Sequence, residues 1–376
     1  MLKRYLDDAA CTLWKDLFSN TCRVVVTGHL GPDGDAMGSS LALAFWLKSC
    51  GCQVSVVMPN LYPDFLSWLP GSDEVINAQM DSSRAATLIS QADVVLCADY
   101  GCYGRNESLD AMIANSQAEI VVIDHHLNPD IQARLLISDP SACATAEIVY
   151  ALLEQLSDSS HPISYDMSVC IYCGMMTDTG GFTYNSSRPE IFYIISRLLE
   201  KGIDKDRIYR NVYYNNTVER MRLMGYILNN NMVYLPEYHT AYYTLNSQEM
   251  KKYLFKKGDA EGWVNLPLEI KDTRLSISLR EDTDTHSIRL SLRSVDDFPC
   301  NHMAAEFFNG GGHLNAAGGT LYCSMEEAVI KVREAIAAYE SLLTSTLVTG
   351  DGKENNRLLV CPSPICSSLK ECRLPI

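Results

Sequence analysis

The sequence predicts an α/β protein, with a doubly wound parallel sheet that carries helices on both faces and a smaller α/β unit after it. Two observations predict this class. Short apolar runs in the first third of the chain indicate buried strands, and helical patterns separate them, an alternation typical of parallel sheets. Runs beyond residue 232 are short, and two of them alternate apolar with polar residues. The predicted strands of the parallel sheet cover residues 22–27, 53–58, 93–99 and 120–123.

Length and composition limit the classes of protein to which this chain can belong. A chain of 376 residues is long enough for two domains with cores of their own, and 47% hydrophobic with 20% charged residues excludes wholesale disorder. Residues 2–18 are predicted to form a helix; the N-terminal stretch has charges where a signal peptide needs an apolar core. No apolar run reaches the roughly 20 residues that a membrane span needs, so we expect a cytoplasmic protein without a membrane partner.

Cysteine usage and charge narrow the class further. The fourteen cysteines are scattered, mostly inside apolar runs, and we interpret them as small buried hydrophobic residues. Cys170 and Cys173 form a lone CxxC, for which a metal or redox role is the weaker alternative. The net charge of −15 argues against binding of long duplex nucleic acid. A negative net charge still permits binding of a small anionic substrate if bound metal ions make the local electrostatic potential positive.

The first strand runs directly into a glycine-rich turn and a helix predicted over residues 36–49. This turn carries three ligand-type side chains within seven residues, His29, Asp33 and Asp35. Asp35 stands where the N-cap of the helix is expected, so a cap is its alternative role. His29 has no such structural explanation.

Two other strands of the sheet also end in polar side chains. The run EIVVID stops at Asp124 and is followed by His125 and His126, while the preceding strand closes on Asp99. Ligands bind at the carboxyl ends of the strands in open α/β sheets, so these side chains are expected to meet at one edge. A helix cap at Asp124 followed by two solvated histidines is the alternative.

A nearly all-apolar helix predicted over residues 164–177 is followed by Asp178 and a glycine pair. An acid at this point is either a cap for the next turn or a ligand, and the other candidate ligands favour the second role. The remaining predicted helices of the first unit cover residues 142–156, 188–200, 204–211 and 217–229. Three asparagines at 229–231 mark the predicted domain boundary.

The second unit is predicted to contain strands over residues 233–236, 240–245, 274–280 and 287–294 and helices from residue 247, over 300–308 and over 325–343. Within 287–294, Arg289 and Arg293 point away from the apolar face, which makes that side either solvated or anion-binding. Residues 344–376 lack periodicity and are predicted to be a disordered tail.

The segment NGGGHLNAAGG lies between the last two predicted helices. We interpret Gly310, Gly311 and Gly312 as a loop whose backbone can approach an anion closely. A merely flexible turn is the alternative, but it leaves His313 between the glycines unexplained.

Six candidate ligands emerge from the first unit, namely His29, Asp33, Asp35, Asp99, His125 and Asp178. Four carboxylates gathered with two imidazoles repel one another unless cations are present. This donor set suits two divalent ions and disfavours structural zinc. Mn²⁺ is the preferred candidate, and Mg²⁺, Co²⁺ or Fe²⁺ are the alternatives. Two metal ions are a recurrent device for phosphoester hydrolysis.

The motifs HLGPDGDAMGS, DHH, TDTGGF and GGGHLNAAGG, together with Asp99, resemble those of the DHH phosphoesterase superfamily with its DHH-associated C-terminal domain, in order and spacing, over about residues 20–340. The most similar subgroup is the nanoRNase and pAp phosphatase type, whose enzymes hydrolyse short oligoribonucleotides, 3′-phosphoadenosine 5′-phosphate (pAp) and linear or cyclic dinucleotides. The resemblance implies a DHH catalytic domain over residues 1–215, a linker helix over 216–231 and a substrate-binding domain over 232–343, with a cleft between the domains.

The resemblance also implies roles. His29 and Asp33 are expected to bind one metal ion, Asp35, His125 and Asp178 the other, and Asp99 to bridge both. Among the expected catalytic residues Asp99, Asp124 and His126, His126 contacts phosphate and Asp124 orients the neighbouring imidazoles. Arg293, Gly310, Gly311, Gly312 and His313 are expected to bind the non-scissile phosphate or the nucleotide terminus.

The expected reaction is attack of a metal-bridging hydroxide on a phosphoester, which releases a mononucleotide. Two alternatives stay open: an inorganic pyrophosphatase or polyphosphatase, and a nucleotide sensor that has lost catalysis. The expected partners are short oligoribonucleotides or small nucleotides; a homodimer is left open.

Overall fold

The structure is a computed structural model that describes residues 2–18, 22–104, 106–256 and 258–345. It contains two six-stranded sheets, one parallel and one mixed. All but two residues of the predicted tail lie outside the described residues. Within the described part of the chain, no helix is both long and apolar enough to cross a membrane.

The first sheet is parallel, and its strand order is β3-β2-β1-β4-β5-β6. Its strands are β1 (Arg23–Thr27), β2 (Gln53–Met58), β3 (Ile76–Asn77), β4 (Val94–Ala98), β5 (Glu119–Asp124) and β6 (Leu135–Ser138). The four predicted strands are confirmed. The two short edge strands β3 and β6 were not predicted, because two to four residues carry little periodicity.

Helices cover both faces of this sheet, as predicted. They are α1 (Asp8–Leu17), α2 (Gly34–Ser49), α3 (Ser82–Gln91), α4 (Glu107–Ala114), α5 (Thr145–Leu156) and α6 (Tyr165–Asp178). Val24 and Leu96 pack in one core with α2, α5 and α6, while Val25 and Val95 pack in the other with α3 and α4. Successive strand residues point to opposite faces, so a continuous apolar run serves two cores.

Helices α2 and α6 pack very closely, and glycine permits the approach. A Cβ atom on Gly38 would collide with the carbonyl oxygen of Cys170, and one on Gly174 would lie 2.9 Å from Asp35 Oδ1. Cys170 and Cys173 are buried in this interface, in agreement with their interpretation as small hydrophobic residues. The close packing holds the first turn of α2 against α5 and α6.

The second sheet has the order β11-β12-β10-β9-β8-β7. Its strands are β7 (Met232–Leu235), β8 (Thr240–Leu245), β9 (Leu275–Asp282), β10 (Ser287–Ser294), β11 (Gly311–His313) and β12 (Ala316–Leu321). Helices α7 (Pro189–Leu199) and α8 (Lys205–Tyr213) still belong to the core of the first sheet, whereas α9 (Val218–Tyr226) packs against β8. The remaining helices follow in the second half and are α10 (Ser247–Lys252), α11 (Cys300–Phe307), α12 (Met325–Ala338) and α13 (Glu340–Leu343). Leu290 and Leu292 are buried against α11 and α12, whereas Arg289 and Arg293 lie on the other face, as predicted.

The glycine-rich segment is not the loop that the sequence predicted. Gly310 precedes a hairpin of β11 and β12, in which Gly311 pairs with Gly318 and His313 pairs with Ala316. Side chains on Gly310 or Gly312 would collide with carbonyl oxygens of β12. Glycine is depleted in strands, so composition hid a hairpin that depends on glycine for close approach of its backbones.

The predicted helix over residues 2–18 was too long at its start. Asp7 caps α1, so the helix begins at Asp8. The preceding residues run along α5 instead, where the backbone N–H groups of Tyr5 and Leu6 donate to Gln155. Aspartate at an N-cap favours this later start.

Candidate active site

The candidate site lies where the strand order of the parallel sheet reverses. Strands β1 and β4 are neighbours, and the chain leaves them toward opposite edges of the sheet. A crevice forms at the carboxyl ends of such strands, because their following helices pack on opposite faces. His29 follows β1 and Asp99 follows β4, so the topology brings both into this crevice.

The first donor group consists of His29, Asp33 and Asp99, whose ligand atoms lie within 4.8 Å of one another. His29 Nε2 lies 3.3 Å from Asp99 Oδ2 and 3.7 Å from Asp33 Oδ2. Asp33 also caps α2, accepting hydrogen bonds from the backbone N–H groups of Asp35 and Ala36. The alternative role of Asp35 as this cap is therefore wrong.

The second group consists of Asp35, Asp99 and His125, again within 4.8 Å, with Asp178 beside it. His125 Nε2 lies 3.5 Å from Asp178 Oδ2 and 3.7 Å from Asp99 Oδ1. Asp99 thus belongs to both groups. It is a non-glycine residue with a left-handed backbone (φ 58°), a strained conformation that tends to occur at functional sites.

Backbone carbonyls orient the two histidines. His29 Nδ1 lies 3.0 Å from the oxygen of Leu30, and His125 Nδ1 lies 3.3 Å from that of Ala142. A carbonyl only accepts, so each Nδ1 carries a hydrogen. In the neutral ring the lone pair of Nε2 is then available to a cation, whereas a protonated ring donates from Nε2 to the carboxylates. This is the arrangement of metal-ligating histidines.

The carboxylates differ in acidity. Burial would raise the pKa of Asp99, but hydrogen bonds from the His126 and His29 imidazoles hold that pKa well below its usual range. Burial and the charge of Asp99 raise the pKa of Asp35 well above its usual range. Burial also raises the pKa of Asp178, to about 7. The cluster cannot keep all its acids ionised without a counter-charge, which a divalent cation supplies.

Asp124 and His126 lie beside these groups. His126 Nδ1 is 2.7 Å from Asp124 Oδ1 and 3.2 Å from Asp99 Oδ1. Asp124 contacts this imidazole, whereas the Nδ1 of His125 lies against the carbonyl of Ala142. Asp124 is fully buried, and a side chain on Gly101 would collide with its second carboxylate oxygen. The pair therefore has one fixed orientation.

Thr145 is part of this site and was not predicted. Its hydroxyl donates to Asp99 Oδ1 (2.9 Å), and its backbone N–H donates to Asp35 Oδ2 (2.6 Å). The sequence predicted the helix from residue 142, which placed Thr145 inside the first turn rather than at its start. Only the true start of α5 reveals that its free N–H groups face Asp35.

The second sheet brings His313 to this cluster. Its ring centroid lies 4.9 Å from that of His126 and 5.6 Å from that of His125. Arg293 is partly buried on β10; burial lowers the pKa of its guanidinium, and anionic groups that include Asp178 act in the opposite direction. Gly310, Gly311 and Gly312 are all exposed, but only at Gly310 and Gly312 would an added Cβ collide with the backbone of β12.

The donors fit divalent cations. Oxygen and imidazole nitrogen dominate both groups, which suits Mn²⁺ or Mg²⁺ better than a structural zinc, and the acids lie closer together than like charges tolerate alone. Such donors at the switch point of a doubly wound sheet suit a hydrolase of the phosphoesterase class.

Comparison with known proteins identifies the family. The profile of the DHH family N-terminal domain matches residues 23–175. A crystal structure of an exopolyphosphatase-related protein from Bacteroides fragilis is 46% identical, with a TM-score of 0.87, over 91% of this chain and 99% of that one. The chain belongs to the DHH family.

Two further relatives are more distant. The bifunctional oligoribonuclease and PAP phosphatase NrnA of Thermus thermophilus is 26% identical over 314 residues, which is 83% of this chain and 89% of that protein. A crystal structure of RecJ in complex with Mn²⁺ from the same species is 15% identical over 89% of this chain and 54% of that one, with a TM-score of 0.51. At that identity the likeness concerns the fold alone.

Proposed function

We propose that this protein is a Mn²⁺-dependent phosphoesterase that hydrolyses short oligoribonucleotides to mononucleotides, with pAp and linear or cyclic dinucleotides as further candidate substrates. The observation that carries the proposal is the sharing of Asp99 by two donor groups that face His313 of the other sheet. Donors for two adjacent cations, closed over by a histidine, are suited to a substrate with phosphate groups.

In this proposal His29 and Asp33 would hold one ion, Asp35, His125 and Asp178 would hold the other, and Asp99, which belongs to both donor groups, would serve both. When bound, the ions would neutralise phosphoryl oxygens and lower the pKa of a coordinated water. The proposal takes Mn²⁺ as the physiological ion on the donor chemistry; Mg²⁺ and Co²⁺ are the alternatives.

The protein's own side chains position the substrate. His126, whose Nδ1 lies 2.7 Å from Asp124 Oδ1, can donate from Nε2 to a phosphoryl oxygen at the cluster when its ring is protonated. His313 and Arg293 supply donors from the second sheet for a second phosphate or a nucleotide terminus. Because one end of the substrate would lie at the two donor groups and the other on β10 and β11, short substrates are favoured.

We propose that each of the two sheets belongs to a domain with its own role. Residues 1–215 would form the catalytic domain, 216–231 the linker and 232–343 the substrate-binding domain. A cytoplasmic location belongs to the proposal, because the scattered, mostly buried cysteines suit a reducing compartment.

The relatives support two classes of substrate, nucleotides and polyphosphate, to different degrees. NrnA of Thermus thermophilus, named an oligoribonuclease and PAP phosphatase, matches over 89% of its length. The Bacteroides fragilis protein is more similar and is named exopolyphosphatase-related. Polyphosphate is therefore a specific second candidate.

A substrate panel tests the proposal. Purified protein with Mn²⁺ is incubated with pApA, pAp, cyclic di-AMP, pyrophosphate and polyphosphate, and AMP and phosphate are quantified. AMP release from pApA or pAp supports the proposal. Turnover of pyrophosphate or polyphosphate alone would replace it with the second candidate, and tight nucleotide binding without turnover would replace it with a sensor.

A further inference from the structure

Thr145 links the two donor groups through two different atoms. Its side chain is fully buried, its hydroxyl donates to Asp99 Oδ1 at 2.9 Å, and its backbone N–H donates to Asp35 Oδ2 at 2.6 Å. Asp99 belongs to both groups, and Asp35 belongs to the second. One residue therefore contacts the shared carboxylate and an unshared one.

The start of α5 needs these contacts. Its N-cap, Ala144, has no side chain that could accept from the first turn. Instead the carboxylate of Asp35, on α2, accepts from the N–H groups of Thr145 and Ala146, at 2.6 and 2.9 Å. A carboxylate at a helix N-terminus satisfies free N–H groups and is stabilised by the helix dipole. Both oxygens of Asp35 are thereby fixed in direction.

The orientation of the Asp99 carboxylate is less firmly fixed than that of the Asp35 carboxylate. Its other side-chain contacts are with imidazoles: His126 Nδ1 and His125 Nε2 lie 3.2 and 3.7 Å from Oδ1, and His29 Nε2 lies 3.3 Å from Oδ2. With ions bound, the Nε2 atoms of His29 and His125 would offer their lone pairs to the ions and could not donate to Asp99, and the Nδ1 of His126 lies nearer to Asp124 Oδ1 (2.7 Å) than to Asp99 Oδ1 (3.2 Å). The hydroxyl of Thr145 can donate whether or not ions are bound.

We infer that Thr145 is a positioning residue, whose hydroxyl fixes the carboxylate of Asp99 so that it can bind two cations at once. The inference rests on the proposed metal-dependent function. It adds a residue from α5 to donor groups otherwise built from the segments after β1, β4 and β5, the first turn of α2 and the end of α6. Loss of this hydrogen bond should weaken binding of both ions, because Asp99 serves both.

The experiment measures Mn²⁺ binding directly, by titration with electron paramagnetic resonance detection of the free ion, in Thr145→Val, Thr145→Ser and the parent protein. Valine keeps the shape of threonine and removes the hydroxyl, whereas serine keeps the hydroxyl. Loss of an outer-sphere hydrogen bond typically lowers metal affinity by about 10- to 100-fold. We expect Thr145→Val to lose affinity in that range and Thr145→Ser to regain most of it.

Thr240→Val is the matched control, because Thr240 is also fully buried but its hydroxyl donates only to the carbonyl of Tyr238 (2.8 Å). Thermal unfolding without metal is recorded for every variant, so that general destabilisation is separated from an effect on the ions. Thr240→Val should bind Mn²⁺ like the parent protein.

The outcomes separate the inference from the function. If the parent protein binds two ions and Thr145→Val binds them equally well, the inference is overturned while the proposed function stands. If Thr145→Ser is as weak as Thr145→Val although both fold, the hydroxyl is not responsible and the inference is likewise overturned. If the parent protein binds no divalent ion, the proposed function fails and the inference fails with it.

Discussion

The ring of His313 lies against the ring of His126, with centroids 4.9 Å apart, although the two residues belong to different sheets. His313 ends β11, the edge strand of the second sheet, and His126 follows β5 of the first. The contact brings a residue of the second sheet to the candidate site. The position of His313 depends on the β11–β12 hairpin, and that dependence can be tested.

Substitution Gly310→Ala should impair this hairpin. A Cβ at residue 310 would collide with the carbonyl oxygen of Gly318, and the backbone has to move to relieve the contact. Overpacking of this kind costs about 1–3 kcal/mol. We expect a lower melting temperature and a raised KM for a dinucleotide, because His313 shifts with the strand. Thermal unfolding and steady-state kinetics measure both.

Gly311→Ala is the matched control for this prediction. Nothing lies within 4 Å of a Cβ at residue 311, and its backbone is not left-handed. It should leave stability and KM nearly unchanged. Equal effects of the two substitutions would contradict the packing argument and would indicate that flexibility of the segment, rather than close strand approach, explains its glycines.

Arg293→Ala should raise the KM for short oligoribonucleotides and weaken the preference for length, with a smaller effect on kcat. The reason is that Arg293 is proposed to hold a phosphate away from the reacting one, so its loss removes binding rather than chemistry. Steady-state kinetics with substrates of two to five nucleotides measure the effect. Arg289→Ala, on the same face of β10 but bound to Asp282, is the control and should change neither constant. An unchanged KM in Arg293→Ala would remove this residue from the substrate site.

The first sheet was largely predictable because its strands are buried on both faces. Each of the four predicted strands is an apolar run that needs no alternation to be recognised, and polar residues mark three of the ends. The second sheet was harder at its edge. Gly311 and Gly318 pair in a strand ladder, but glycine gives no signal for strands, so the hairpin was interpreted as a loop.

The candidate site likewise has a part that the sequence predicted and a part that it did not. His29, Asp99 and His125 follow strands whose direction and order bring their side chains together, so spacing along the chain was informative. Thr145 was not predictable. Its role depends on where α5 starts and on which helix end faces Asp35, and these follow from the packing of α2 against α5 and α6 rather than from any local pattern.

Asp99→Ala should reduce Mn²⁺-dependent hydrolysis by more than the roughly 100-fold that loss of an outer-sphere partner causes, because Asp99 belongs to both donor groups. Its backbone conformation (φ 58°) is less favourable for alanine than for aspartate, so folding has to be checked by circular dichroism. Asp99→Asn, which keeps the shape and tolerates a left-handed backbone, is the companion variant and should be similarly inactive. Full activity in a folded Asp99→Asn protein would contradict the assignment of a bridging carboxylate.

Asp139 should make the stability of the protein depend on pH through its contacts with the N-terminal segment. It lies just after β6, accepts from Lys3 Nζ (2.7 Å) and the hydroxyl of Tyr5 (2.8 Å), and accepts from Ser141 within its own loop. Burial would raise the pKa of Asp139, but these hydrogen bonds outweigh burial and hold the pKa below its usual value. A depressed pKa in the folded state stabilises the protein above the unfolded pKa of about 3.9, and this contribution disappears as pH falls through the folded pKa.

The variant Asp139→Asn should therefore lower the free energy of unfolding at pH 7 by about 1–2 kcal/mol. Hydrogen bonds to a charged group are lost, but the effect is limited because Lys3 is largely exposed and solvent screens its charge. The difference from the parent protein should shrink as pH falls below about 4. Urea unfolding at pH 7, 5 and 3.5 measures it, and Asp206→Asn, whose partner Lys205 is exposed at the surface, serves as the control with no measurable change. A constant difference at all three pH values would show that the charge of Asp139 is not what stabilises the N-terminal segment.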